Sequence, residues 1–265
     1  MKIVIIRGGG DIATGIAHRL FKAGFKVVIL DIENPSAIRR KVSFCQAMYS
    51  GEIEIEEVKG VFSKDINEVY ENLEKSNIPV YIDEKGEIIK EIKPFAVVDS
   101  ILAKKNLGTN REMAPITIGV GPGFEAGNDV DLVVETSRGH FLGRVIYKGS
   151  AIKNTGIPGS IMGYTEERVI RAMGDGIIEN YFKIGDKIEK GEIICKTGDV
   201  EVEAKINGVI RGLLKDGLYV KKGLKIGDID PRGLEEYAST ISEKARAVGG
   251  GVLEGIMYLS KERSF

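Results

Sequence analysis

The sequence predicts an α/β chain in two parts: a doubly wound, mostly parallel sheet, then a smaller all-β domain. Three observations carry that prediction. Short apolar runs alternate with helical segments through the first half, as in strand–helix–strand folds. Glycine accounts for 34 of 265 residues, nearly double the usual share of roughly 7%. The second half repeats one glycine-punctuated stretch at a constant offset, which reports a duplicated unit.

The first elements follow from periodicity. Lys2-Ile3-Val4-Ile5-Ile6 reads as a buried parallel strand and runs into Gly8-Gly9-Gly10. Ile12, Ile16 and Leu20, with Ala13 and Ala17, form one apolar stripe of a helix that stops near Gly24. Lys26-Val27-Val28-Ile29-Leu30 is a second strand, ending at Asp31. Together they have the size of a right-handed βαβ unit. Beyond them, residues 52–58 alternate Ile and Glu as an edge or hairpin strand, and residues 65–76 carry Ile66, Val69, Tyr70 and Leu73 at helical spacing. Residues 78–82, 95–98 and 116–120 are further apolar runs that read as strands.

The first turn has the form Gly8-x-Gly10-x-x-Ala13, the alanine-ended dinucleotide fingerprint of a Rossmann-like domain. Gly8 permits the tight turn, Gly10 lets backbone approach a pyrophosphate, and Ala13 lets helix and strand pack closely. Amide groups of Gly8, Gly9, Gly10, Asp11, Ile12 and Ala13 would face the phosphates. Asp31, at the second strand's end, is suited to a ribose 2′-hydroxyl. Asp11 either caps the helix or repels phosphate. Arg39 and Arg40 are either phosphate ligands or a solvated turn.

A second glycine turn, Gly121-Pro122-Gly123, follows the 116–120 strand. After the apolar Leu132-Val133-Val134 comes Glu135-Thr136-Ser137-Arg138-Gly139-His140. If these strands are parallel, both glycine turns, Asp31 and residues 135–140 leave one sheet edge, where α/β ligands bind. There Arg138 would clamp an anion, His140 would exchange a proton, and Glu135 or Asp129 would orient it. The competing reading is a hinge with Arg138 paired to an acid and His140 exposed. His18, on the first helix, is read as structural.

In the second half, residues 175–194 recur as 207–226, an offset of 32 that maps Gly176, Gly185 and Gly191 onto Gly208, Gly217 and Gly223. Each copy is a set of short strands whose apolar face needs the other copy for cover. The pattern resembles the biotinyl/lipoyl carrier fold, a barrel-sandwich hybrid. Between the halves, however, stands Thr197-Gly198-Asp199-Val200-Glu201 with no lysine to modify, while Lys196 and Lys205 occupy strand positions. Docking, oligomer contacts or a lid are therefore the expected roles. A last helix carries Ala245, Val248, Val252, Ile256 and Leu259 on one stripe, interrupted by Gly249-Gly250-Gly251. Each glycine costs about 1 kcal/mol in a helix interior, so a close neighbour is expected there, on the first domain. The expected borders are 1–146, 147–232 and 233–265.

Composition narrows the function. Lys and Arg total 38 against 39 Asp and Glu, a net charge of -1, which offers no bulk attraction to nucleic acid or an anionic membrane. The longest uncharged stretches are 12 residues, too short to span a bilayer. Only residues 3–6 are continuously apolar before Arg7, so no secretory signal is expected. Cys45 and Cys195 make no ligand-spaced pair, and no metal site is expected. A cytoplasmic protein follows.

Residues 7–20 and 33–40 resemble the YqeB-type accessory proteins of the selenium-dependent molybdenum hydroxylase system. So do residues 121–130, 135–145 and 154–159, and the resemblance runs to the final helix. It implies a role in maturation or cofactor handling, with a molybdenum hydroxylase or its cofactor-insertion machinery as partner. It does not imply the hydroxylase reaction, since the chain lacks cysteines for iron–sulfur clusters. The expected ligand is a nucleotide or dinucleotide: NAD(P), ATP or a molybdopterin dinucleotide. Two alternatives stay open, a stand-alone NAD(P)-dependent oxidoreductase acting on a small anion and a non-catalytic docking scaffold, and a homo-oligomer is compatible with each.

Overall fold

A computed structural model describes residues 2–264. The chain divides into two compact units. One holds the chain up to Pro35, Ser43–Asn154 and Ile241 onward; the other holds Ser36–Val42 and Thr155–Thr240. Residues 147–154 thus group with the first unit, and 36–42 and 233–240 with the second, away from the borders expected at 146 and 232.

The first unit contains β1 (Ile3–Arg7), α1 (Asp11–Lys22), β2 (Lys26–Asp31), α2 (Ala47–Ser50), β3 (Glu52–Ile55), β4 (Val58–Ser63), α3 (Ile66–Glu74) and β5 (Ile78–Ile82). Then come α4 (Ile89–Ile92), β6 (Ala96–Asp99), β7 (Ile116–Val120), β8 (Leu132–Val134), β9 (Val145–Ile146) and, from the end of the chain, α5 (Glu243–Glu262). They build one α/β layer structure around a nine-stranded sheet of order β3-β4-β5-β2-β1-β6-β7-β8-β9. Pairing is parallel from β4 through β8 and antiparallel at both edges, so the sheet is mixed. The alternating stretch 52–58 is one hairpin arm and its turn: Glu56 and Glu57 take φ of 46° and 65°, and the chain reverses into β4. Neither β4 nor the two-residue β9 stands out as a strand in the sequence.

Alternate residues of the central strands face opposite layers, the period of two that a strand imposes. Val4, Ile6, Val27, Ile29, Ile116 and Ile118 pack with α1 and α5. Ile5, Val28, Leu30 and Val97 pack with Val69, Leu73 and Ile89 of α3 and α4. Asp65 starts α3 by accepting the Asn67 and Glu68 amides at 2.8 and 3.0 Å. Among the described residues no helix connects β6 to β7 or β7 to β8. The chain's last helix supplies that cover instead, lying against α1, β7, β8 and β9.

This explains its glycines. A Cβ on Gly249 would stand 2.7 Å from the Gly15 carbonyl oxygen of α1, and one on Gly15 2.6 Å from the Ala245 Cβ. A Cβ on Gly251 would overlap the Gly143 carbonyl oxygen, and one on Gly255 would press on Leu132 and Ile118. Close approach of α5 to both helix and sheet is what the missing side chains permit. Among the described residues no helix is long and apolar enough to cross a membrane.

The second unit contains β10 (Val169–Arg171), β11 (Gly176–Asn180), β12 (Lys187–Ile188), β13 (Ile193–Thr197), β14 (Val200–Glu203), β15 (Gly208–Leu213), β16 (Tyr219–Val220) and β17 (Lys225–Asp230). The 32-residue offset carries β10 to β13 onto β14 to β17 in turn. These strands form two antiparallel sheets, β10-β17-β15-β12 and β14-β13-β11-β16. Each sheet takes two strands from each copy, so the repeats interlock around a shared core of Ile178, Ile194, Val202, Ile210, Ile226 and Ile229.

Candidate functional site

At β1 the strand order changes direction: β2 and β5 lie to one side, β6 to β8 to the other. Loops leaving the carboxyl ends of the flanking strands diverge there and leave a crevice. A cavity of about 380 Å³ opens at this edge, lined by Gly8, Leu30, Asp31, Ile32, Ile101, Leu107 and Asp83 to Lys85. Leu30, Ile32, Ile101 and Leu107 give it apolar surface, and Arg7, Asp31, Asp83, Glu84 and Lys85 give it charge, with the Asp31 carboxylate at the end of β2.

The glycine turn is built for close approach on two sides. Gly8 has φ +94°, and a Cβ there would lie 2.8 Å from the Ser100 carbonyl oxygen. The Gly8 amide donates to the Leu30 carbonyl at 2.7 Å. Gly9 donates its amide to Asp31 Oδ2 at 2.7 Å, and its carbonyl accepts the Cys45 amide at 3.0 Å. One amide expected to face a phosphate is therefore engaged by the acid expected to face the ribose. Gly10 differs: a Cβ there would meet no atom within 4 Å, and as N-cap of α1 it provides no side-chain cap. Asp11 opens α1, where its charge suits the helix's positive end. Ile12 and Ala13 are buried, Ala13 giving the small contact that the motif requires.

Asp31 Oδ1 also accepts the Ile32 amide at 2.8 Å. A carboxylate has about four lone-pair positions, so two amides leave room for a diol. Burial pushes the Asp31 pKa up, and the Ile32 and Gly9 amides draw it part of the way back.

A buried polar group beside the cavity has no motif in the sequence. Arg7, at the end of β1, donates to Thr109 Oγ1 at 2.5 Å and to the Glu84 carbonyl at 2.9 Å. Thr109 donates to Asp99 Oδ2 at 2.6 Å, and Asp99 Oδ1 accepts the Ile101 amide at 3.1 Å. These bonds tie the 100–109 loop to the edge of β1 and β6. The sequence signal was a charged residue directly ending each apolar run, Arg7 after Ile6 and Asp99 after Val98.

The second expected constellation is dispersed. Gly121 takes φ +79°, and its amide donates to the Val134 carbonyl at 2.8 Å. Gly123 takes φ +113°, and a Cβ there would lie 2.7 Å from the Lys105 amide nitrogen. Chain packing accounts for both. Glu135 is buried, and its carboxylate accepts the amides of Thr136, Ser137 and Ile152 at 2.8, 2.7 and 2.8 Å. Asp129 precedes β8, at its opposite end from Glu135, and accepts the Glu125 amide at 2.9 Å. Arg138 pairs with Glu243 at the start of α5. His140 is exposed, with its ring edge-on to Phe141 at 4.9 Å. Among the described residues no hydrogen bond joins His140 to Glu135, Asp129 or Arg138.

Arg39 and Arg40 fall in the second unit. Arg39 is buried and donates to the Tyr237 and Thr240 carbonyls at 2.8 and 3.2 Å; Arg40 Nε donates to the Leu213 carbonyl at 2.9 Å. Their segment runs beside β15 because Ile38 joins that unit's core and its carbonyl accepts the Leu213 amide at 2.7 Å. His18 lies on α1 with Nε2 3.2 Å from the Glu56 carbonyl oxygen, and burial lowers its pKa. In the second unit Thr197 pairs with Val200, so Gly198 and Asp199 form the hairpin tip and Lys196 stays on β13. Burial pushes the Cys195 thiol up to about 12.

No family model matches the chain. It is 51% identical, over 258 residues, to uncharacterized protein YqeB of Escherichia coli (strain K12). The match takes in 97% of this chain and 48% of that protein, so the chain spans about half the length of its relative. Among solved structures, an aspartoacylase family protein from Mesorhizobium loti aligns over 80% of this chain and 58% of its own, with 11% identity and a TM-score of 0.24. The apo ectoine utilization protein EutE from Ruegeria pomeroyi aligns over 85% of each chain, with 11% identity and a TM-score of 0.27. A succinylglutamate desuccinylase/aspartoacylase from Rhodobacter sphaeroides aligns over 86% of this chain and 84% of its own, with 13% identity and a TM-score of 0.27. Likeness that low leaves the chain's own geometry as the guide.

Proposed function

Since this chain is a YqeB-type protein matched to about half of that relative, we propose that it is an accessory or maturation protein for a selenium-dependent molybdenum hydroxylase. In this reading its first unit is a Rossmann-like domain that binds a nucleotide-type ligand: NAD(P), ATP or a molybdopterin dinucleotide. The observation that supports it is the cavity at the β1 edge, with Gly8 and Asp31 in its lining, together with the open space around Gly10 two residues on. The parallel run β5-β2-β1-β6-β7-β8 has the strand order of dinucleotide-binding sheets. Ile32, Ile101 and Leu107 offer apolar faces to a base, and Asp31 retains acceptor capacity for a ribose diol. Phosphates would approach α1 at Gly10, because the Gly9 amide is already taken.

The second unit, read as a barrel-sandwich hybrid, serves docking in this proposal, since its hairpin tip is Gly198-Asp199 and holds no lysine. A stand-alone oxidoreductase draws no support from His140, which among the described residues has no hydrogen-bonded acid beside it.

Two variants test the site. Gly10→Val places a branched side chain where nothing of the protein stands, so nucleotide binding should be lost with little change in melting temperature of the free protein. A ligand at 100 times its dissociation constant should stabilise the parent by about 2.7 kcal/mol; the same gain in the variant rejects the site. Asp31→Ala should weaken NAD more than a 2′-phosphorylated ligand, and equal weakening rejects the ribose contact. For the cellular role, a strain without this protein should make the hydroxylase but leave it without its cofactor; normal loading rejects that role.

A further inference from the structure

The chain between β8 and residue 152 carries two cations and three large apolar side chains into one hollow. Phe141, Arg144, Tyr147, Lys148 and Ile152, with Glu135 beneath them, line a cavity of about 510 Å³. Ligand cavities commonly span roughly 300–1,000 Å³. Phe141, Tyr147 and Ile152 are 47%, 48% and 50% exposed, apolar surface left in water.

The charges there are uncommitted. Among the described residues neither the Arg144 guanidinium nor the Lys148 ammonium makes an ion pair or a hydrogen bond. Arg144 lies over the Phe141 ring, 5.1 Å from its centroid, which orients the guanidinium plane and leaves its donor edge free. Glu135, the acid of the lining, does not pair with either cation, because three backbone amides occupy its carboxylate. It acts as a pin: its amide also donates to the Arg144 carbonyl at 3.0 Å, joining both walls. Arg138 is balanced by Glu243. Glu254 accepts from the Tyr147 hydroxyl at 3.5 Å, and that ring also meets Tyr258 edge-on.

We infer that this cavity binds a phosphate monoester carried on an aromatic ring, the ring against Phe141 and Tyr147 and the phosphate between Arg144 and Lys148. Two cations suit a group carrying about −1.5 to −2 at neutral pH, and a stacked guanidinium suits its oxygens. The site is built around the edge strand β9, four strands along from β1, about 19 Å at strand spacing. It stands independently of the nucleotide reading.

Titration calorimetry of the full chain with phenyl phosphate and with inorganic phosphate tests the inference. Phenyl phosphate should bind saturably and more tightly than inorganic phosphate. Arg144→Gln should weaken it about tenfold, the loss of one charged contact. Phe141→Leu should lower the preference for phenyl phosphate over inorganic phosphate. Gly10→Val should change neither. Absence of saturable phenyl phosphate binding, or equal affinity in Arg144→Gln with an unchanged melting curve, overturns the inference. So does a loss of binding in Gly10→Val alone, which would assign the phosphate to the nucleotide cavity.

Discussion

Single residues at the start of β8 tie the first unit together. Asp131 accepts the Thr117 amide at 2.9 Å, Arg111 Nε at 3.0 Å and Arg263 Nη2 at 2.6 Å. Burial by itself would push its pKa up; the Arg263 and Thr117 bonds outweigh that and hold the carboxyl below its usual range. A depressed folded-state value adds stability above the unfolded pKa of about 3.9, and that stability is lost as pH falls through the folded value. Asp131→Ala should therefore cost roughly 2 kcal/mol at neutral pH. In urea titrations the gap from the parent should narrow when the pH is brought to about 3. A gap independent of pH would show that packing, not charge, makes the contribution.

At the scale of elements, α5 shows how local propensity yields to packing. Its glycines are unfavourable for an isolated helix, yet most are required by close neighbours. Gly249 and Gly250 separate the two effects. Gly249→Ala should destabilise by about 2 kcal/mol, since its methyl group would meet backbone of α1. Gly250→Ala faces no atom within 4 Å and should stabilise by roughly 1 kcal/mol. Equal shifts in chemical denaturation would refute the packing account. The β3–β4 turn anchors the same helix: the Glu56 carboxylate accepts the Ile241 amide at 2.8 Å and Arg246 Nη2 at 2.7 Å. Burial raises its pKa, but these partners prevail and lower it.

At the scale of the whole molecule, the first unit is completed by the far end of the chain. Val248, Val252, Ile256 and Leu259 of α5 are buried against a sheet face that lacks crossover helices. Burying one such side chain contributes about 1.5–3 kcal/mol, and a domain's net stability is about 5–15 kcal/mol. A chain ending at Thr240 should thus lose the cooperative unfolding of its first unit, seen as loss of amide-exchange protection in β6, β7 and β8. Retained protection there would mean that the sheet does not depend on α5. The second unit has its own core, to which residues 36–42 contribute Ile38.

From the sequence alone came the parallel strands at residues 3–6, 26–30, 78–82 and 116–120, the helix after the glycine turn and the offset of 32. The strands and the helix are written in local periods that act between near neighbours, and the offset in the self-similarity of two stretches. The demand for a close partner in the run Gly249-Gly250-Gly251 was also legible, and it is met at Gly249 and Gly251 but not at Gly250. Only the tertiary structure decided what those features meet. The Arg39-Arg40 segment joins the second unit, Asp129 and Glu135 stand at opposite ends of β8, and Arg7, Thr109 and Asp99 converge although scattered along the chain. The physical reason is range: periodicity says which face of an element is buried, whereas a site depends on which loops the topology brings to one edge.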